Sequence, residues 1–269
     1  MYYTAGRAIH SLPDGPSVWG VTSLDNEIYV MRWKKREQIE VYNANTYRFQ
    51  CSLTVSDIRG FTDMTICEHY RCLYLSDHLV ECVHRVELEG VDTLWPVNAK
   101  PSCLSVNSAH NVLVTCRVVR TIKEFSTRGE LVRELRLPGD VVNPCHAIQL
   151  TNGQFIVCHG ARDDAVKRVC GVSSDGRHVV QSSPGSDSDS PAHLAVDDNE
   201  FVFLADVNNR RVTLFSPALS YVRRVVSCDE LRWRPRRLYL DVRRRRLYVG
   251  ETEWKDGKFT AGCVEVFNV

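Results

Sequence analysis

Short apolar runs alternate with polar turns along the whole chain. The runs are rich in β-branched and aromatic residues, and no long stretch spaces its apolar residues at three and four as a helix requires. Six of them, "EIYVM", "CLYLSD", "NVLVTC", "QFIVCH", "FVFLAD" and "RLYVGE", are centred at Tyr29, Tyr74, Leu113, Ile156, Phe203 and Tyr248. Their successive separations of 45, 39, 43, 47 and 45 residues lie close to a single period, the mark of an internal repeat. Each is the second of four strand-like runs, and a proline often leads the first, as in "PSVWGV", "PSCLSV", "PAHLAV" and "PRRLYL".

Four short strands repeated at about 40 to 45 residues make a propeller blade. The expected fold is therefore all-β: one six-bladed β-propeller over residues 1–269, with approximate blades at 17–55, 61–98, 101–138, 144–182, 191–227 and 235–269. Nothing after "CVEVFNV" supplies a fourth strand to the last unit, so residues 4–12 are expected to complete it and close the ring. The fifth unit, with Asp206, Asn209 and then Arg211-Val212, resembles the NHL repeat of six-bladed propellers such as the C-terminal domain of tripartite-motif proteins. Asp77 and Glu251 keep an acid at the matching place, whereas Arg32, Cys116 and His159 do not. Asp206 should end the second strand and Arg211 begin the third, so Asp206, Asn209 and Arg211 are expected to clamp the hairpin.

A net charge of +1 gives the chain no overall attraction for nucleic acid or an acidic membrane. No apolar stretch approaches the roughly 20 residues needed to span a bilayer, and the start has no basic segment followed by an apolar core. With 11 cysteines, an odd number, reduced thiols and an intracellular, cytoplasmic location are expected.

Cys67, His69, Cys72, Cys82 and His84 have some of the residue types of a zinc site, but they lack paired Cys-x-x-Cys spacing and fall on three strands. His146 and His193 open the first strands of adjacent units. Propellers resembling gluconolactonases hold a divalent cation near such positions, but Val18, Asp63, Cys103 and Arg237 complete a set short of oxygen ligands. No nucleotide-binding glycine fingerprint or Gly-x-Ser-x-Gly elbow occurs. The expectation is therefore no catalytic residue, no metal, no cofactor and no enzymatic activity. Arg243 to Arg246 read as a solvated turn, and residues 181–191, "QSSPGSDSDSP", as a mobile acidic loop.

The resemblance implies a monomeric recognition module for protein partners. Aligning the repeats brings Trp33, Lys34, Lys35 and Arg36 of the first unit to the same face as Arg232, Trp233, Arg234, Trp254 and Lys255 of the sixth, a concentration of the residues that dominate interface hot spots. Binding of single-stranded RNA by this face is the first alternative. A lactonase-like metal-dependent hydrolase is the second.

Overall fold

A computed structural model of the chain describes residues 7–33, 38–88, 92–160, 168–182 and 190–269. The chain forms two compact units, Met1–Ser56 with Ala192–Val269, and Asp57–Pro191. Every regular element among the described residues is a strand, and the strands make six four-stranded sheets, the blades of an all-β, six-bladed propeller.

The first unit holds β1 (His10–Ser11), then β2 (Val18–Leu24), β3 (Glu27–Arg32), β4 (Gln38–Asn43) and β5 (Phe49–Thr54). It also holds β18 (Pro191–Val196) from Ala192 on, then β19 (Val202–Asp206), β20 (Arg211–Phe215), β21 (Tyr221–Val226), β22 (Arg234–Asp241), β23 (Arg246–Lys255) and β24 (Lys258–Asn268). The second unit holds β6 (Phe61–Cys67), β7 (Cys72–Asp77), β8 (Cys82–Glu87) and β9 (Thr93–Pro96). These are followed by β10 (Cys103–Val106), β11 (Val112–Cys116), β12 (Thr121–Phe125) and β13 (Leu131–Arg136), and by β14 (Pro144–Gln149), β15 (Phe155–His159), β16 (Arg168–Val172) and β17 (Val179–Ser182).

The second strands β7, β11, β15 and β19 are buried at every residue, which is why their apolar runs carry the repeat so clearly. The fourth strands are mostly exposed, as β5 and β13 show. Within each unit, neighbouring blades bury their faces against one another. In the first unit Phe203, Ala205 and Val212 pack with Leu238, Val249 and Phe267. In the second, Tyr74, Val83 and Trp95 pack with Leu104, Val112 and Val114.

The N-terminal strand completes the last blade, as the repeat count required. β1 pairs with β24 through His10↔Val266 and Ser11↔Glu265, and the Ile9 and Leu12 N–H groups donate to the Val266 and Val264 carbonyls at 2.8 and 2.9 Å. The same seam continues at the Gly15↔Gly262 bridge. A Cβ on residue 262 would lie 2.6 Å from the Glu251 carbonyl oxygen and 2.8 Å from the Val18 nitrogen, so only glycine fits there.

A bulge recurs near the start of the first strands. The register shifts between Val18 and Gly20, Phe61 and Asp63, Pro144 and His146, and Pro235 and Arg237. Each shift marks one extra residue in the first strand: Trp19, Thr62, Cys145 and Arg236. It also corrects the sequence alignment, because Gly20 and not Val18 stands level with Asp63, His146 and Arg237.

Candidate functional site

The residue ending the second strand ties down the loop that enters its own blade. In the second blade the Asp77 carboxylate accepts N–H bonds from Arg59 and Gly60 of that loop at 2.6 and 2.9 Å, and from Leu79 and Val80 of the hairpin at 3.0 and 3.3 Å. Burial alone would raise its pKa, but these four donors hold it below the usual carboxylate value. In the fifth blade Asp206 accepts from Asn209 Nδ2 at 2.8 Å and Arg211 Nε at 2.9 Å. The connection Val207–Arg210 closes with Arg210 in the left-handed region at φ 48°. In the sixth blade, where β23 runs on to Lys255, Glu251 at the matching place accepts the Trp233 N–H of the loop before β22.

The first blade makes the same connection with reversed polarity. Arg32 is almost fully buried, and its guanidinium donates to the carbonyls of Pro13 at 2.7 Å, Pro16 at 3.1 Å and Gly262 at 3.0 Å, while its Nε pairs with Glu40 at 2.8 Å. Donor and acceptor have changed places, so a search for an acid misses it.

The same end of these strands in the first unit carries an aromatic ledge. Trp33 follows β3, with its N–H on the Ser17 carbonyl at 2.8 Å, and its ring stacks on Trp19 at 4.7 Å between centroids. Trp19 meets the edge of Phe259 at 5.6 Å, and Phe259 meets Trp254 at 4.6 Å. The Arg236 guanidinium lies 4.7 Å from the Phe259 centroid and 5.6 Å from that of Trp19. Trp19 and Arg236 are the bulged residues of β2 and β22, so the bulges deliver both side chains to the ledge. Trp254 is 38% exposed, and Trp19, Trp33 and Phe259 are half-buried.

Of the residues singled out in the sequence, the ledge thus unites Trp33 and Trp254. Lys255 is exposed at the end of β23. The Trp233 ring stacks under Arg232 at 4.2 Å, and Arg232 also pairs with Asp14 at 2.7 Å. Arg234 reaches Asn208 at 3.3 Å. Lys34, Lys35 and Arg36 lie outside the described residues, as does most of the acidic serine loop. Sequence reading missed Trp19 and Arg236, because a bulge leaves no trace in composition, and Phe259, which the length of the β23–β24 hairpin brings back to Trp254.

At the level of Gly20 the second unit presents Asp63 and His146, both buried, with ligand atoms within 4.8 Å of each other. Both hold the backbone of Leu104: Asp63 accepts its N–H at 2.8 Å, and His146 Nε2 lies 3.0 Å from its carbonyl. In the first unit the Leu238 N–H donates to His193 Nδ1 at 3.4 Å, and Arg237 Nε donates to the Trp19 carbonyl at 2.9 Å.

The Cys67 to His84 set is dispersed. Cys67 faces Cys72 across the β6–β7 pair, Cys82 faces Asp77, and His84 lies 3.8 Å from the Asp77 carboxylate. All eleven cysteines are free thiols. The ligand types that do converge in the first unit are Glu251, Cys263 and Glu265, all buried, with ligand atoms within 4.8 Å of one another. Arg243 to Arg246 occupy the β22–β23 turn and the start of β23, where Arg244 bonds Asp241 at 3.1 Å and Asn26 at 2.8 Å.

No protein-family model matches the sequence, nor does any curated protein sequence. Solved structures do share its fold. A virginiamycin B lyase from Staphylococcus aureus superposes with a TM-score of 0.66 at 10% identity, over 96% of this chain and 88% of the lyase. The WD40 β-propeller domain of Doa1 gives 0.63 at 12% identity over 99% and 97%. Hydrazine synthase of Kuenenia stuttgartiensis gives 0.65 at 14% over 90% and 76%. At such identities the likeness is one of fold. It nevertheless corrects the expectation of a chain without enzymatic activity, because the same architecture houses lyases and gives no ground for excluding catalysis.

Proposed function

We propose that this propeller recognises a protein partner through the ledge of Trp19, Trp33, Trp254, Phe259 and Arg236, in the manner of NHL-type target-recognition domains of ubiquitin-ligase families. The observation that carries the reading is the half-exposed stack itself. Rings held by one another and by an arginine present rigid apolar area with little side-chain entropy left to lose, which is the makeup of interface hot spots. Among the described residues Arg232 is engaged by Asp14 and Arg234 by Asn208, while the exposed Lys255 and Lys258 share their hairpin with Glu253 and Asp256, and Glu253 accepts the Thr260 hydroxyl. Such mixed charge suits a protein surface better than a phosphate backbone.

The test uses the full chain and its Trp33→Ala/Trp254→Ala variant as baits in cell extract, with and without ribonuclease. A protein retained by the parent in both conditions and lost from the variant supports the reading. Retention of RNA, or of proteins only when RNA is intact, refutes it in favour of single-stranded RNA. A second reading, a lactonase-like hydrolase, has one observation in its favour, the buried Asp63 and His146 side by side. It requires lactone hydrolysis, with added divalent cation, that disappears in His146→Ala.

A further inference from the structure

Glu251 and Cys263 face each other across the β23–β24 pair, and Glu265 follows two residues along β24 on the same face of the sheet. Glu251 is fully buried, and its Oε2 accepts the Trp233 N–H. Its Oε1 is buried with no hydrogen-bond partner, an arrangement a fold rarely leaves standing. The Cys263 thiol points at Glu265 Oε1 from 3.7 Å, and Glu265 Oε2 accepts the Ser11 hydroxyl at 2.5 Å. Two carboxyl groups and a thiol thus converge out of water. The nearby Arg210 guanidinium donates to the carbonyls of Cys228, Leu231 and Arg232.

We propose that Glu251, Cys263 and Glu265 bind a borderline-soft divalent cation of the Zn²⁺ class. The donor set selects this class: a thiolate disfavours Mg²⁺ and Ca²⁺, whereas Zn²⁺ takes sulfur at about 2.3 Å and carboxylate oxygen at about 2.0 to 2.2 Å. The ligand atoms already lie within 4.8 Å of one another, with Cys263 Sγ 3.7 Å from Glu265 Oε1, and would close around such an ion. A bound cation would supply the partner that Glu251 Oε1 lacks, and would reach the N-terminal strand through Glu265 and Ser11.

The electrostatics agree with a site that wants positive charge. Burial pushes the Glu251 carboxyl up to about 8, and Glu265 adds to the rise while the Trp233 N–H and Arg210 oppose it. Burial likewise pushes the Cys263 thiol far above its usual range, with Glu251, Glu265 and Asp14 adding to the effect. Binding as a thiolate therefore releases the Cys263 proton to solvent.

The experiment titrates the full chain, first stripped by chelator, with Co²⁺ and then with Zn²⁺. The expected result is one equivalent of Co²⁺ bound with a thiolate-to-cobalt charge-transfer band, displaced by Zn²⁺ and absent in Cys263→Ala. Glu251→Gln replaces the carboxyl with an isosteric amide whose oxygen can still accept the Trp233 N–H, and it should bind Co²⁺ at least tenfold more weakly. Absence of the band from the parent, its persistence in Cys263→Ala, or unchanged affinity in Glu251→Gln would each overturn the site.

Discussion

One position, the last residue of the second strand, shows how different side chains solve the same problem. A loop entering a blade leaves backbone groups that must be satisfied. Asp77 satisfies N–H groups, whereas Arg32 satisfies carbonyls and takes Glu40 as its counterion. The acid was legible at Asp206 because its Asn and Arg partners follow within five residues. The arginine was not, because its partners Pro13, Pro16 and Gly262 are brought to it only by the fold. Removing Asp77 as Asp77→Ala should lower stability by about 1 to 3 kcal/mol, the scale of leaving buried donors unpaired, in a denaturant titration. The pH dependence has a definite sign. The folded carboxyl is held below its ordinary value, so between the folded and unfolded pKa values the unfolded chain binds more protons and stability rises with pH. The contribution is complete above about pH 5 and fades as pH falls through the folded pKa, which lies below the unfolded value of about 3.9. Asp77→Asn should therefore flatten the acid limb of the stability curve. Arg32→Ala takes the counterion from the buried Glu40, which still accepts the Tyr42 hydroxyl at 2.8 Å, and a donor from each of three carbonyls, and should lose about 3 to 5 kcal/mol in the same measurement.

At the scale of elements, strands were legible and registers were not. Alternation and β-branched content mark where a strand lies, but a bulge adds one residue without altering either. That is why Val18 was aligned with Asp63 and His146 although Gly20 holds the place. The pairing of β1 with β24 was legible for a simpler reason: a blade one strand short has an open edge, and the only unassigned strand-like segment was at the other end of the sequence. The seam depends on few residues, among them the backbone of Ile9 and Leu12, the Leu12 side chain, which is 1% exposed, and the Ser11–Glu265 bond. A chain beginning at Pro13 loses these and leaves β24 with an unpaired edge. Its melting temperature should fall by several degrees, and light scattering should show association beyond the monomer. An unchanged melting temperature in a monomeric sample would show that β1 contributes nothing to the closure.

For the whole molecule, blade architecture outlasts sequence: chains with about 10% identity share this fold because an apolar second strand and a closed set of hydrogen bonds suffice to make a blade. The proposed interaction surface is the opposite case, since it depends on individual side chains that the repeat does not require. Trp33 and Trp254 could be placed together from the order of strands alone, because blade closure puts the loops of the first and last repeats side by side. Trp19, Arg236 and Phe259 could not, since two owe their position to bulges and the third to the length of the β23–β24 hairpin. The assembled ledge sorts the tryptophans by exposure and contact. Among the described residues the Trp254 ring meets the ring of Phe259, and it stays 38% exposed, so Trp254→Ala should leave the melting temperature nearly unchanged. Trp33→Ala removes the stack on Trp19 and should lower it slightly. Both should weaken the partner by about 1 to 3 kcal/mol, or roughly five- to 150-fold in Kd by titration calorimetry. Arg232→Ala should change Kd by less, because Arg232 is already held by Asp14 and Trp233 on the surface. For a protein partner held mainly by these rings, Kd should vary only weakly with salt. A loss of a thousandfold between about 50 and 200 mM would instead follow the release of counterions from a phosphate backbone and transfer the ledge to a nucleic-acid ligand.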